Sequence, residues 1–140
     1  MEVRILAPGD EAILAAAAIM IGDEPPDPDR RRALLADPCF VAVAALDAGQ
    51  PIGFIYGHVL PQMTRTALLV YSVDTAESHR RRGAARAMID ALKALCLERG
   101  YYEAWVLTNA SNEPAMRLYQ ACGGVRDNPD DVMFAFSTPA

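Results

Sequence analysis

The chain has little of what metal centres and disulfide frameworks are built from. Its 140 residues include three cysteines and two histidines. Cys39, Cys96 and Cys122 are odd in number, widely spaced and free of any CxxC pattern, so they read as thiols of a reducing compartment. His58 and His79 fall in no ligand-like cluster, and no metal is expected. Long apolar runs are missing as well. The stretch from Ala12 to Ile21 is too short and too rich in alanine to span a bilayer. Met1-Glu2-Val3-Arg4 lacks the basic-then-apolar order of a secretory leader. A cytoplasmic protein with no membrane partner is expected.

Positive charge is scarce and local. The formal net charge is −5. Residues 1–60 carry nine acids and four bases, residues 61–110 five acids and seven bases, and residues 111–140 four acids and two bases. Nucleic acid rewards broad positive surface, so it is excluded as a partner. One basic segment suits a compact anion, and the acidic remainder suits a cationic second ligand. Net negative charge that merely keeps the protein dispersed is the plainer reading of the same numbers.

What is present is an ordinary globular composition, 52% hydrophobic and 22% charged. One domain over residues 1–140 can bury a core without staples. Val3 to Leu6 reads as a strand, and Asp10 as the cap of an alanine-rich helix to about residue 21. Asp27-Pro28 opens a second short helix that ends near Asp37-Pro38. Phe40–Leu46 and Ile52–Leu60 form a hairpin around the turn chemistry of residues 47–51, and Thr66 to Asp74 is a further strand. A long helix from Gly83 to Arg99 places Ala84, Met88, Ala91, Leu92 and Leu95 on one face, and Gly100 stops it. Tyr102–Thr108 is a strand, Glu113–Cys122 a helix capped by Asn112, and Val132–Phe136 a last strand. This order predicts a single α/β layer domain with a mixed sheet.

The informative stretch is Val73-Asp-Thr75-Ala-Glu77-Ser-His-Arg80-Arg81-Arg82-Gly83-Ala84-Ala85-Arg86. Three arginines stand immediately before a helix start, where the dipole is already positive. That arrangement is unfavourable by a few tenths to about 1 kcal/mol unless an anion sits there. Free amides, a glycine and two alanines make a phosphate cradle. A second triplet, Arg30-Arg31-Arg32, has Asp27 and Asp29 beside it and no glycine turn, and reads as solvated surface.

Arg80-x-x-Gly83-x-Ala85 resembles the pyrophosphate motif [R/Q]-x-x-G-x-[G/A] of the GNAT acetyltransferases. Asn112-Glu-Pro-Ala115-Met-Arg-Leu118-Tyr119-Gln-Ala-Cys-Gly123 is similar to that superfamily's N-x-x-A-x-x-L-Y-x-x-x-G helix. The resemblance implies a mostly antiparallel sheet splayed between strands 4 and 5, with helices on both faces. It further implies acetyl-CoA as co-substrate and no metal. The backbone of Val73 and Thr75 would hold the pantetheine arm and thioester. Amides from Arg81 through Ala85, with Arg80, Arg82 and Arg86 nearby, would hold the pyrophosphate. Asn112 would contact the pantetheine, with Ala115 leaving room, and Tyr119 would protonate the departing thiolate. A tyrosine titrates near 10 and a thiol near 8.5, so the phenol is still protonated when the thiolate needs its proton.

Gly57-His-Val59-Leu60-Pro61, Arg65, Tyr71 and His79-Arg80-Arg81-x-Gly83 resemble the gentamicin-type aminoglycoside 3-N-acetyltransferases more closely. Two acidic positions of those enzymes are Ala67 and Ser72 here. The base or amine anchor then moves, and Asp74 and Glu77 are the neighbouring carboxylates. Glu24, Asp27, Tyr71 and Asp131 are candidates for the acceptor side. A protein or peptide acetyltransferase and a non-catalytic acyl-CoA sensor are the alternatives. Many relatives of this kind are dimers, which makes a homodimer the expected assembly.

Overall fold

A computed structural model describes residues 1–139. The sheet has five strands in the order β1 (Glu2–Ile5), β2 (Phe40–Asp47), β3 (Gln50–Pro61), β4 (Thr66–Thr75) and β5 (Glu103–Val106). The first four pair antiparallel, and β4 pairs parallel with β5. Two helices, α1 (Glu11–Met20) and α2 (Pro28–Ala36), precede β2. The long α3 (Ala84–Arg99) joins β4 to β5, and α4 (Glu113–Ala121) follows β5.

Each face of the sheet buries its own cluster. Val43, Ile55, Leu68, Met88 and Leu92 pack between the sheet and α3. Leu14, Ala17, Leu35, Ala44 and Phe54 pack between the sheet and the α1–α2 pair. A sheet covered on both faces explains why β2 is a continuous apolar run from Val41 to Leu46, buried throughout, rather than an alternation. The α3 face is the one its periodicity dictates: Ala84, Met88, Leu92 and Leu95 are buried. Met88 is fully enclosed, with 0% of its surface exposed. Met88→Ala is expected to cost about 2–5 kcal/mol, read as a lowered midpoint in chemical denaturation.

Caps set most boundaries. The Asp27 carboxylate accepts from the Arg30 amide at 2.8 Å with Pro28 in the first turn, as its sequence predicts. Asn112 caps α4 by accepting from the Ala115 amide at 3.2 Å. The end of α4 is a Schellman arrangement, with Gly124 N donating to Tyr119 O at 2.8 Å and Gly123 N to Gln120 O at 3.1 Å. Asp10 departs from expectation. It stands at the N-cap position of α1, yet its carboxylate turns back to the Ala7 amide at 2.9 Å and the Arg4 guanidinium at 3.2 Å. The arginine two turns of chain away outcompetes the helix amides for a charged acceptor.

The final strand expected over residues 132–136 does not form. Beyond Gly123 the chain runs without a ladder, and Val132, Phe134 and Phe136 are 78%, 77% and 94% exposed. β-branched and aromatic residues favour strands only where a pleated, half-buried surface receives them. Here no such surface does.

Candidate active site

The site begins where β4 and β5 part. Their ladder runs from Ala67–Glu103 to Val70–Val106, which is the last residue of β5. β4 continues for Tyr71 to Thr75 with no neighbour on that side. A β-bulge marks the parting point, because Tyr56 pairs with Ser72 but Gly57 pairs with Val70, leaving Tyr71 as the extra residue. Gly57 makes the bulge possible. A Cβ there would lie 2.2 Å from the Leu69 carbonyl oxygen.

Pleat alternation decides which backbone groups the opening receives. Ala76 N donates to Ile52 O at 2.8 Å, so its amide faces β3. Asp74 and Ser72, two and four residues back, face β3 as well. The amide and carbonyl of Val73 and Thr75 therefore point into the opening, the two residues that the sequence nominates.

On the α3 side the opening is a cleft of about 230 Å3. Val73, Trp105, Lys93, Tyr119 and Cys122 are among its walls. Lys93 Nζ donates to the Cys122 carbonyl at 2.9 Å and so ties the end of α4 to α3. Tyr119 is thereby held over the cleft. Burial raises its phenol above the ordinary tyrosine value, and the negative charge of Asp74 adds to the rise. The two residues nominated for chemistry are thus electrostatic neighbours. Ala115 is half-buried on the same helix.

Residues 76–83 lead from the end of β4 to the start of α3. Gly83 is its N-cap with φ +79°, no side chain caps the helix, and its first turn holds no acid. The first helical bond is Ala87 N to Gly83 O at 3.0 Å, so the amides of Ala84, Ala85 and Arg86 have no helical partner. A single 3₁₀ turn, Glu77–His79, leads into this loop, and Arg81 within it has φ +66°. Among the described residues none of Arg80, Arg81, Arg82 and Arg86 forms an ion pair. The other triplet differs, since Arg32 is paired with Asp29. An uncapped helix start with unpaired arginines fits a diphosphate better than it fits solvent. The Asn112 side-chain oxygen serves as the cap, and among the described residues its amide nitrogen makes no hydrogen bond.

The opposite face holds a second cavity of about 320 Å3 under the α1–α2 loop. Asp23, Glu24 and Arg30 edge it, and Phe40, Phe54 and Tyr56 line it. Tyr71, the bulged residue, is 72% exposed with its ring centroid 5.4 Å from that of Tyr56. Burial, then the charges of Tyr71 and Asp23, raise the Tyr56 phenol, so it stays neutral. Glu24 and Tyr71 therefore lie at this side of the opening. Asp27 is occupied as the α2 cap, and Asp131 stands on the exposed segment after α4, its amide bonded to Asn128 O at 3.1 Å. Arg65 stacks 3.7 Å over the Tyr102 ring at the far end of β4, away from the opening. Sequence reasoning missed Trp105, Lys93, Tyr56 and Asp23. Only their placement in the fold, at the walls of the two cavities, gives them meaning. Among the described residues no cluster of His, Cys, Asp and Glu could hold a metal, and no helix is long and apolar enough to cross a membrane.

Comparison with known proteins agrees with this geometry. The acetyltransferase (GNAT) family model matches residues 11–124. An aminoglycoside acetyltransferase from an uncultured soil metagenomic sample is 31% identical, with 99% of this chain and 97% of that one aligned at a TM-score of 0.80. A second soil aminoglycoside acetyltransferase, solved with sisomicin, reaches a TM-score of 0.90 at 18% identity, with 99% and 96% aligned, and speaks for the fold alone. The L-2,4-diaminobutyric acid acetyltransferase of Streptomyces anulatus is 43% identical over 53 residues, 38% of this chain and 30% of that protein's length. The chain belongs to the GNAT acetyltransferase family.

Proposed function

We propose that the protein transfers the acetyl group of acetyl-CoA to a primary amine of a cationic small molecule, an aminoglycoside at its 3-N position. The observation that carries this reading is the β4–β5 opening. Tyr119 lies on one wall, the amides of Val73 and Thr75 point in, and the uncapped start of α3 lies at its mouth. Acetyl-CoA enters as a substrate whose diphosphate meets the amides of Arg81 to Ala85 and the charges of Arg80, Arg82 and Arg86. Its pantetheine follows β4 past Asn112 and Ala115.

The amine approaches from the α1–α2 side. Its ammonium gives up a proton to Asp74, and the nitrogen lone pair attacks the thioester carbonyl carbon. The carbonyl oxygen becomes an oxyanion that the Val73 amide stabilises. The C–S bond then breaks, the Tyr119 phenol donates its proton to the thiolate, and the cationic nitrogen passes its surplus proton back to the phenolate to leave the neutral amide. Glu24 and Asp23 at the cavity edge, with Tyr71 and Tyr56 as a stacking wall, hold the rest of the cation. Asp27 and Asp131 are the further carboxylates proposed for the acceptor. An enzyme of this kind works in the cytoplasm and confers aminoglycoside resistance.

The Streptomyces similarity favours a second reading in which the acceptor is a short diamine or diamino acid. Mass spectrometry after incubation with gentamicin-like and kanamycin-like aminoglycosides, 2,4-diaminobutyrate, polyamines and peptides separates them. The proposal expects a monoacetylated aminoglycoside carrying the group on N-3. Acetylation of diaminobutyrate or peptides alone contradicts it and keeps only the family chemistry.

A further inference from the structure

The turn between β2 and β3 touches the loop before α3 through one histidine. His79 Nε2 lies 3.4 Å from Asp47 Oδ2, and His79 Nδ1 lies 2.8 Å from Ser78 Oγ. Nε2 faces the Asp47 carboxylate across an ionic contact, and Nδ1 shares a hydrogen bond with the serine hydroxyl. The serine contact is between chain neighbours and would form in many loops. The Asp47 contact is different, because it joins two segments distant in sequence. Asp47 is the last residue of β2 and is fixed by pairing with Gln50, so the histidine is tied to the sheet itself.

Backbone conformation at the contact points the same way. Among the described residues two that are not glycine have positive φ, Ala48 at +49° and Arg81 at +66°. Ala48 with Gly49 (φ +79°) makes the type I′ turn that a two-residue hairpin requires, so the informative one is Arg81, two residues after His79. Side-chain-bearing residues hold such conformations only where the surroundings over-determine them. Local bonds hold the 3₁₀ turn shut, His79 N donating to Ala76 O at 2.9 Å. The Arg80 amide reaches Glu77 O only at 3.4 Å, and among the described residues the exposed side chains of Arg80–Arg82 form no ion pair.

We propose that Asp47, acting through His79, is a positioning residue that sets the phosphate loop Arg80–Gly83 in its binding conformation before acetyl-CoA arrives. This rests on reading that loop as the diphosphate cradle. The role is preorganisation: the free loop already has the shape that the bound one needs, so less order is lost on binding.

The test measures acetyl-CoA affinity by calorimetry on the full chain, beside turnover with acetyl-N-acetylcysteamine, a thioester donor without a diphosphate. Asp47→Ala and His79→Ala are each expected to weaken acetyl-CoA binding about tenfold, and the double variant no further, because both break one tie. Asp47→Asn keeps an acceptor oxygen and is expected to recover affinity to within about threefold. With the short donor the Asp47→Ala rate falls no more than about twofold, since that donor never meets the loop. Unchanged acetyl-CoA affinity in Asp47→Ala, additive losses in the double variant, or an equal loss with both donors overturns the proposal. Gly83→Val distinguishes the two layers. If it loses acetyl-CoA while Asp47→Ala does not, the positioning role alone is wrong; if it binds normally, the cradle itself is wrong.

Discussion

Tyr119→Phe is expected to lower kcat by about 10²- to 10³-fold while acetyl-CoA affinity changes by less than about threefold. The phenol oxygen is the only atom removed, and the ring that packs over the cleft beside Val73 and Trp105 stays. Protonation state decides the pH signature. Burial first, and the Asp74 carboxylate second, raise the Tyr119 pKa above 10.0. In the proposed role of general acid the protonated phenol is the active form, and a raised pKa keeps that form to higher pH. The kcat profile of the native enzyme therefore should not bend downward on the alkaline side below about pH 10 on account of this group. The acidic limb is expected to report the amine substrate, which must shed a proton before it attacks. Stopped-flow thiol release across pH 6 to about pH 9.5 checks both statements. A Phe variant with native kcat would remove Tyr119 from the proton transfer.

The second large effect is expected at Gly83. Its φ of +79° lies where L side chains are strained, and a Cβ built there meets nothing within 4 Å. Gly83→Val therefore combines two faults. The conformation costs on the order of 1–2 kcal/mol, and the new methyls project into the open space at the helix start where a diphosphate would lie. Acetyl-CoA affinity is expected to fall by about 100-fold or more, equivalent to at least about 2.7 kcal/mol. Gly83→Ala carries the strain with less bulk and should fall between, at about tenfold. Thermal unfolding separates the causes, since strain alone lowers the midpoint by several degrees at most. A variant that binds acetyl-CoA normally at an unchanged midpoint would mean that neither fault matters and that the loop does not hold the cofactor.

Much of the fold was legible because its boundaries are written in local chemistry. Asp27-Pro28, Asn112 with Pro114, Gly100 and Gly123 cap or stop helices by rules that need no tertiary information. The α3 face was legible for the same reason, and so was the cluster of arginines before an uncapped helix. What escaped depends on distance. Asp10 looks like a cap until Arg4 takes its carboxylate. Val132 to Phe136 has the composition of a strand, but strand formation requires an edge, and composition does not say whether one accepts it. The bulge at Tyr71 depends on where Gly57 meets the Leu69 carbonyl, a pairing register that neither strand encodes alone. His79 carries no signal of its own and gains one only beside Asp47.

The central claim is that this cleft performs acetyl transfer from acetyl-CoA to an amine. The most direct test follows free thiol and acetylated amine together in one reaction, with the Tyr119→Phe variant run in parallel. The account predicts one thiol released for each amine acetylated, dependent on the amine and nearly abolished in the variant. Acetyl-CoA binding without amine-dependent thiol release, for any amine of the panel, would contradict it and leave a protein that senses the thioester without using it.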